Sequence, residues 1–153
     1  MSLPRLAVFF AAGALFAGIA ASAIAQDAAT PDFTAMSHEE LVKARQDAMK
    51  EDGGLLRQAG GLSGAEAVAA ADTLIRNYTN LPHMFPEGSN VGDSKALPVI
   101  WQDFETFTGI FAKGLQGAND MKAAAEAGDA AAYAAALQVI GGTCGECHQK
   151  FRS

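Results

Sequence analysis

The chain's only two cysteines and one of its three histidines stand together near the C-terminus, in the segment CGECH that runs from Cys144 to His148. The residues around this segment follow a helical pattern. On a helix that turns 100° per residue, Cys147 lies about 60° to one side of Cys144 and His148 about 40° to the other. The two thiols and the imidazole therefore leave the same side of one helix, and the fold must leave space there for what they bind.

Three familiar uses of paired cysteines fit this segment poorly. A disulfide is the default in an oxidising compartment, but a bridge enclosing two residues inside a helix would cross-link almost nothing. A thioredoxin-type redox pair opens a helix that follows a strand, and no strand is predicted here. A structural zinc site needs four ligands, and the other histidines, His38 and His83, lie far away in the sequence.

The fourth use is covalent attachment of a c-type haem, for which C-x-x-C-H is the signature. Two thioether bonds can hold the porphyrin edge while the imidazole reaches the iron from the same side. The sequence therefore predicts one haem c, attached through Cys144 and Cys147, with His148 as an iron ligand.

The N-terminus has the pattern of a secretory signal peptide. Arg5 precedes a long apolar run, and Ala23-Ile24-Ala25 is a small-x-small cleavage site. No other stretch approaches the roughly 20 apolar residues needed to span a bilayer. We expect residues 1–25 to be removed, which leaves one exported domain of 128 residues over 26–153. Export agrees with the haem prediction, because c-type haem is attached outside the cytoplasm.

The charge of the chain excludes some partners. The formal net charge is −6, and loss of Arg5, the only charged residue of the signal segment, makes it −7. Nucleic-acid binding needs a Lys- and Arg-rich surface, so we expect none. An acidic domain is steered toward partners with basic patches, although the charge can equally serve solubility alone.

Helix signals cover the mature chain. Ser37 with Glu40 forms a capping box that opens a first helix, and Ser63 with Glu66 forms a second that opens a helix to about Asn80. No sustained alternation of β-branched residues predicts a strand.

A long loop over 81–98, with three prolines and two glycines, connects to a third helix that starts near Pro98 and stops at Gly128. Asp129 can cap a fourth helix to near Arg152. The third helix carries a core-facing stripe, Ile100, Phe104, Phe107, Phe111, Leu115, Ala118 and Met121. The fourth helix has a similar stripe, Tyr133, Leu137, Ile140, Cys144, Cys147 and Phe151. The chain is therefore predicted to be all-α, an antiparallel four-helix bundle with covalently attached haem.

With these motifs the mature chain resembles the class II c-type cytochromes, the cytochrome c′ family. The resemblance rests on ARQDAM in the first helix, MFPEGSNVGD in the loop, KALPVIW at the third helix, AAAEAGD before the fourth and GGTCGECHQKFR at the end. It implies a periplasmic protein with the haem inside the bundle, often a homodimer packed through the first two helices. It also implies that Arg45 and Arg152 lie near the haem propionates, although either could instead lie on a solvated helix face.

The sixth iron ligand decides the function that the resemblance implies. In the five-coordinate members, an apolar residue four positions after the arginine of the R-Q pair crowds the iron, and here that position is Met49. Low-spin members use a methionine in this position. On a helical wheel Met49 lies within about 20° of Val42 and Leu56, so it faces the core. The alternative is that Met49 only fills space, which is methionine's commonest role.

If Met49 binds the iron, both axial positions are full and the protein is a one-electron carrier, with a redox partner that presents a basic surface. If Met49 only packs, the open iron binds nitric oxide or carbon monoxide. We expect no enzymatic activity, because the sequence shows no acid–base pair beside Met49.

Overall fold

Four long helices and one short helix make up the folded chain, which confirms the predicted all-α bundle. The computed structural model describes residues 31–153, and the predicted signal peptide, residues 1–25, lies outside the described residues. The helices are α1 (His38–Ala59), α2 (Gly64–Asn80), α3 (Val99–Gln102), α4 (Phe104–Ala127) and α5 (Ala130–Phe151), with 3₁₀ turns at Phe33–Ala35 and Leu81–Met84. Short connections join α1 to α2 and α4 to α5, as antiparallel neighbours require. None of these described helices is long and apolar enough to cross a bilayer.

The two predicted capping boxes differ in outcome. The first forms in full, because the Ser37 hydroxyl accepts from the Glu40 N–H and the Glu40 carboxylate accepts from the Ser37 N–H. The second prediction is wrong in detail: Ser63 precedes α2, but its side chain makes no capping hydrogen bond. Gly64, the next residue, has a φ of +53°, which is a left-handed conformation. A capping box requires the residues after the N-cap to be helical, so that the serine side chain can reach the N3 backbone N–H.

The third predicted helix is not continuous. It divides at Asp103, whose backbone leaves helical geometry and whose carboxylate accepts from the Thr106 N–H to start α4. Phe104, predicted to face the core, becomes the first residue of α4 and is 41% exposed. The boundary between α4 and α5 is as predicted: Gly128 ends α4 at a φ of +66°, and the Asp129 carboxylate caps α5.

The helices pack unequally, and this positions the candidate site. Helix α4 packs extensively against both α2 and α5, whereas α1 has few contacts with α5. Because α1 and α5 touch so little, a space lies between them. Four phenylalanines from the loop, α4 and the end of α5 form an edge-to-face cluster beside this space: Phe85, Phe107, Phe111 and Phe151. The space between α1 and α5 is therefore left open and has aromatic walls.

The contact between α2 and α4 depends on a missing side chain. A Cβ placed at Gly114 would lie 1.9 Å from Cε1 of Tyr78. We expect Gly114→Ala to destabilise the haem-loaded protein by about 1–3 kcal/mol, the usual cost of overpacking a core. Urea unfolding would measure this cost, and wild-type stability would contradict the tight contact. The matched control is Gly109→Ala on the same helix, where a Cβ meets nothing within 4 Å and the change should stabilise by up to about 1 kcal/mol.

Candidate haem site

The predicted site residues meet at a cavity of about 490 Å³ between α1 and α5. An inner cavity of about 220 Å³ lies beside it. Met49 of α1 and Cys147 and His148 of α5 line both cavities, and Cys144 lines the inner one. The structure therefore brings together, from two different helices, the attachment cysteines and the two predicted iron ligands.

The surroundings of the CGECH segment on α5 determine whether its thiols and imidazole are charged. Both cysteines are partly buried and free, so the disulfide alternative is not formed. Burial, together with the charges of Cys144 and Glu146, raises the pKa of Cys147 to about 11, unlike the low-pKa thiol of a redox pair. Desolvation, with a smaller effect from the charge of Arg152, lowers the pKa of His148. The imidazole is therefore neutral at physiological pH, the form that binds a metal.

The lining fits a flat apolar ring that carries carboxylates at one edge. The larger cavity has an apolar wall of Phe85, Ala96, Ile100, Phe107 and Phe151 and a polar part that includes Lys50, Asp93, Lys95 and Arg152. Its volume falls within the range of about 300–1,000 Å³ that is typical of small-molecule and cofactor sites. Among residues 31–153 no group of three or more His, Cys, Asp or Glu side chains could hold a bare metal ion, which disfavours the zinc alternative.

Met49 is the methionine that enters this space. The other three methionines of residues 31–153, Met36, Met84 and Met121, line neither cavity, and Met121 is fully buried in the core. The histidines His38 and His83 also lie outside both cavities.

Arg45 has a role that the sequence did not predict. Its guanidinium donates to the Met84 carbonyl (2.9 Å), the Ser89 hydroxyl (2.9 Å), the Ser89 carbonyl (2.7 Å) and the Ser94 hydroxyl (2.8 Å). It also lies 4.2 Å over the Phe85 ring, and its side chain is only 3% exposed. Burial lowers the pKa of Arg45 to about 10, so it stays charged. Arg45 thus fastens the loop to α1 at the cavity wall, and its predicted propionate contact stays a prediction.

Asp52 and Tyr78 are site residues that sequence reasoning missed. Both line the inner cavity with Met49. The Asp52 carboxylate accepts from the Asn77 amide at 2.7 Å. Burial raises the pKa of Asp52 to about 6, with the Asn77 hydrogen bond opposing the shift and the Glu51 charge adding to it. The signal was present in the sequence, because Asp52 follows Met49 by three positions and so lies near it on the helix face.

The Tyr78 hydroxyl lies on the α5 side of the inner cavity. It is 3.2 Å from the Thr143 hydroxyl, and burial raises the pKa of Tyr78 above its usual range. Two ionisable groups thus stand in the space where the sequence showed no acid–base pair.

Comparison with known proteins gives concordant matches. The family model described as Cytochrome C′ matches residues 40–152. A cytochrome c-556 from Agrobacterium tumefaciens (strain II Chrys) is 39% identical over 118 residues, covering 72% of this chain and 95% of that protein. Cytochrome c′ from Rhodospirillum rubrum is 43% identical over 74 residues, which span 48% of this chain and only half of that protein.

A solved structure extends the similarity to the fold. The nitric oxide complex of a mutant cytochrome c′ from Alcaligenes xylosoxidans superposes with a TM-score of 0.68 at 27% identity, covering 76% of this chain and 97% of that one. The similarity therefore includes the arrangement of the helices around the site.

Proposed function

Because the chain belongs to the cytochrome c′ family, whose members bind a covalently attached haem c, we propose that it is a one-electron carrier whose haem iron is bound by His148 and Met49. One observation carries the proposal: Met49 of α1 lines the same cavities as His148 and Cys147 of α5, and no other methionine of residues 31–153 does. Imidazole and thioether ligation gives haem iron a raised reduction potential.

The chain's own residues support a carrier in three ways. Helix α5 anchors the ring edge through Cys144 and Cys147. The neutral imidazole of His148 is ready to bind, and Met49 brings a soft, uncharged sulfur to the same cavity. Phe85, Phe107 and Phe151 supply an apolar wall against which the ring would pack. With two protein ligands bound, little needs to move when one electron enters or leaves.

Reversible binding of nitric oxide or carbon monoxide is the second candidate. It is favoured by Met49 being only one of several apolar side chains on the cavity wall, which is compatible with packing instead of binding. The relative from Alcaligenes xylosoxidans is itself described as a nitric oxide complex. In this case Met49 would pack without binding.

The absorption spectrum of the haem-loaded protein tests the two candidates. The carrier is expected to give sharp low-spin bands in both oxidation states, and addition of carbon monoxide to the reduced protein should leave them unmoved. A high-spin spectrum that shifts as soon as the gas is added would overturn the proposal and support the second candidate.

The cellular setting is also proposed. The signal pattern of residues 1–25 supports export to the periplasm, and the net charge of −6 for the whole chain supports a redox partner with a basic surface. Assembly as a homodimer through the first two helices remains a prediction, and we propose no enzymatic activity.

A further inference from the structure

The haem cavity has two chemically different ends. Cys144 lines only the inner cavity, whereas Lys50, Lys95 and Arg152 line only the larger outer one. A haem c carries its two propionate carboxylates on the ring edge away from the thioether bonds. A ring attached through Cys144 and Cys147 therefore has its carboxylate edge toward the end where the cations lie.

Arg45, although it lines the same cavity, has little left to offer a carboxylate. A guanidinium has five N–H donors, and four of those of Arg45 already bind the loop. Turning Arg45 toward a propionate would leave the buried Met84 carbonyl and Ser89 hydroxyl without this donor, which is unfavourable for buried polar groups.

Lys95 and Arg152 are in the opposite situation. Backbone pairing holds their segments side by side: the Ser153 N–H donates to the Lys95 carbonyl at 3.0 Å, and the Leu97 N–H donates to the Phe151 carbonyl at 3.0 Å. Both side chains are exposed at the cavity mouth. Within the described chain, no carboxylate lies within 4.0 Å of either cation, whereas Lys50 is 3.6 Å from Asp47.

One carboxylate that lines the outer cavity would repel a propionate. Asp93 lines the outer cavity, and its carboxylate accepts from the Gln46 amide at 3.3 Å. Lys95 and Arg152 together carry two positive charges against the one negative charge of Asp93, so the mouth of the cavity still favours a negatively charged group.

We propose that Lys95 and Arg152 act as a pair that binds the propionate carboxylates of the haem, while Arg45 holds the loop and does not contact them. Lys95 thus takes the place predicted for Arg45. The inference rests on the attached haem, and it holds whether or not Met49 binds the iron.

A carboxylate titration of the haem-loaded protein at low ionic strength tests the pair. Loss of a nearby cation weakens the charged form of a carboxylate. Lys95→Gln and Arg152→Gln should each raise the propionate pKa by a few tenths of a unit, followed by NMR of the haem carboxyl carbons. Both should also lower the equilibrium constant for reduction, by up to about fivefold for a partly exposed pair. The matched control is Lys122→Gln, a lysine of α4 that pairs with Asp72, and it should shift neither quantity.

The charge-conserving variant Arg45→Lys separates the two roles of arginine. It should leave the propionate pKa unchanged and speed hydrogen exchange of the amides in the loop over 85–94. A wild-type propionate pKa in Lys95→Gln, or a shift in Arg45→Lys as large as that in Arg152→Gln, would overturn the proposal. The carbon monoxide spectrum of the same samples reports separately on Met49, so failure of the axial-ligand proposal is distinguishable.

Discussion

Replacing Met49 by leucine is expected to convert the reduced protein from one that ignores carbon monoxide to one that binds it saturably. Leucine keeps most of the apolar volume but has no sulfur to offer the iron. The low-spin spectrum should become high-spin, and the reduction potential should fall because thioether ligation raises it. Gas titration followed by absorption, together with a redox titration, measures both changes.

The control for this substitution is Met36→Leu. Met36 is partly buried and lies outside both cavities, so the spectrum should stay that of the wild type. An unchanged spectrum in Met49→Leu would show that Met49 only packs. The gas-binding function would then be the correct one.

Asp52→Asn is expected to make the stability of the protein depend less on pH. The folded-state pKa of Asp52 is about 6, above the ordinary value of 3.8. A raised pKa favours the folded protein at low pH, and that contribution is lost as the pH rises through about 4 to 7. Between pH 4 and pH 8, the free energy of unfolding of the wild type should therefore fall by about 2–3 kcal/mol relative to that of the variant.

Urea unfolding of the haem-loaded proteins at several pH values would show this divergence. Asparagine keeps an oxygen that can accept from the Asn77 amide, so the packing change is small. The matched control is Asp120→Asn, which replaces an exposed carboxylate of α4. Its free energy of unfolding should change with pH in the same way as that of the wild type. A parallel course for Asp52→Asn would mean that the carboxylate is solvated in the folded protein.

The features that sequence predicted well are those fixed by neighbouring residues. The capping box at Ser37, the left-handed stop at Gly128 and the cap at Asp129 each depend on a few consecutive residues. The CGECH geometry is local in the same sense, because one helix turn sets it. The helical wheel also placed Met49 on the side where the cavity lies.

The features that sequence missed depend on distant partners. Nothing near Arg45 shows that its guanidinium meets Ser89 and Ser94, more than 40 positions away. At Asp103 a local cap on Thr106 competes with continuing the helix, and the Asp103 carboxylate also pairs with Lys150 of α5, a partner that the local sequence does not reveal. The raised pKa of Asp52 likewise needs α2 to bury it.

The unequal packing of α1 bears on how the haem cavity is built. The helix that carries the two attachment cysteines is supported mainly by α4, which also packs on α2, while α1 is held chiefly by α2 and the 3₁₀ turn that follows it. The position of the thiols in the folded protein therefore depends mainly on α4 and little on α1. Met49 and Arg45 both lie on α1, so one side of the haem cavity is formed by a helix that has few contacts with the helix carrying the thiols.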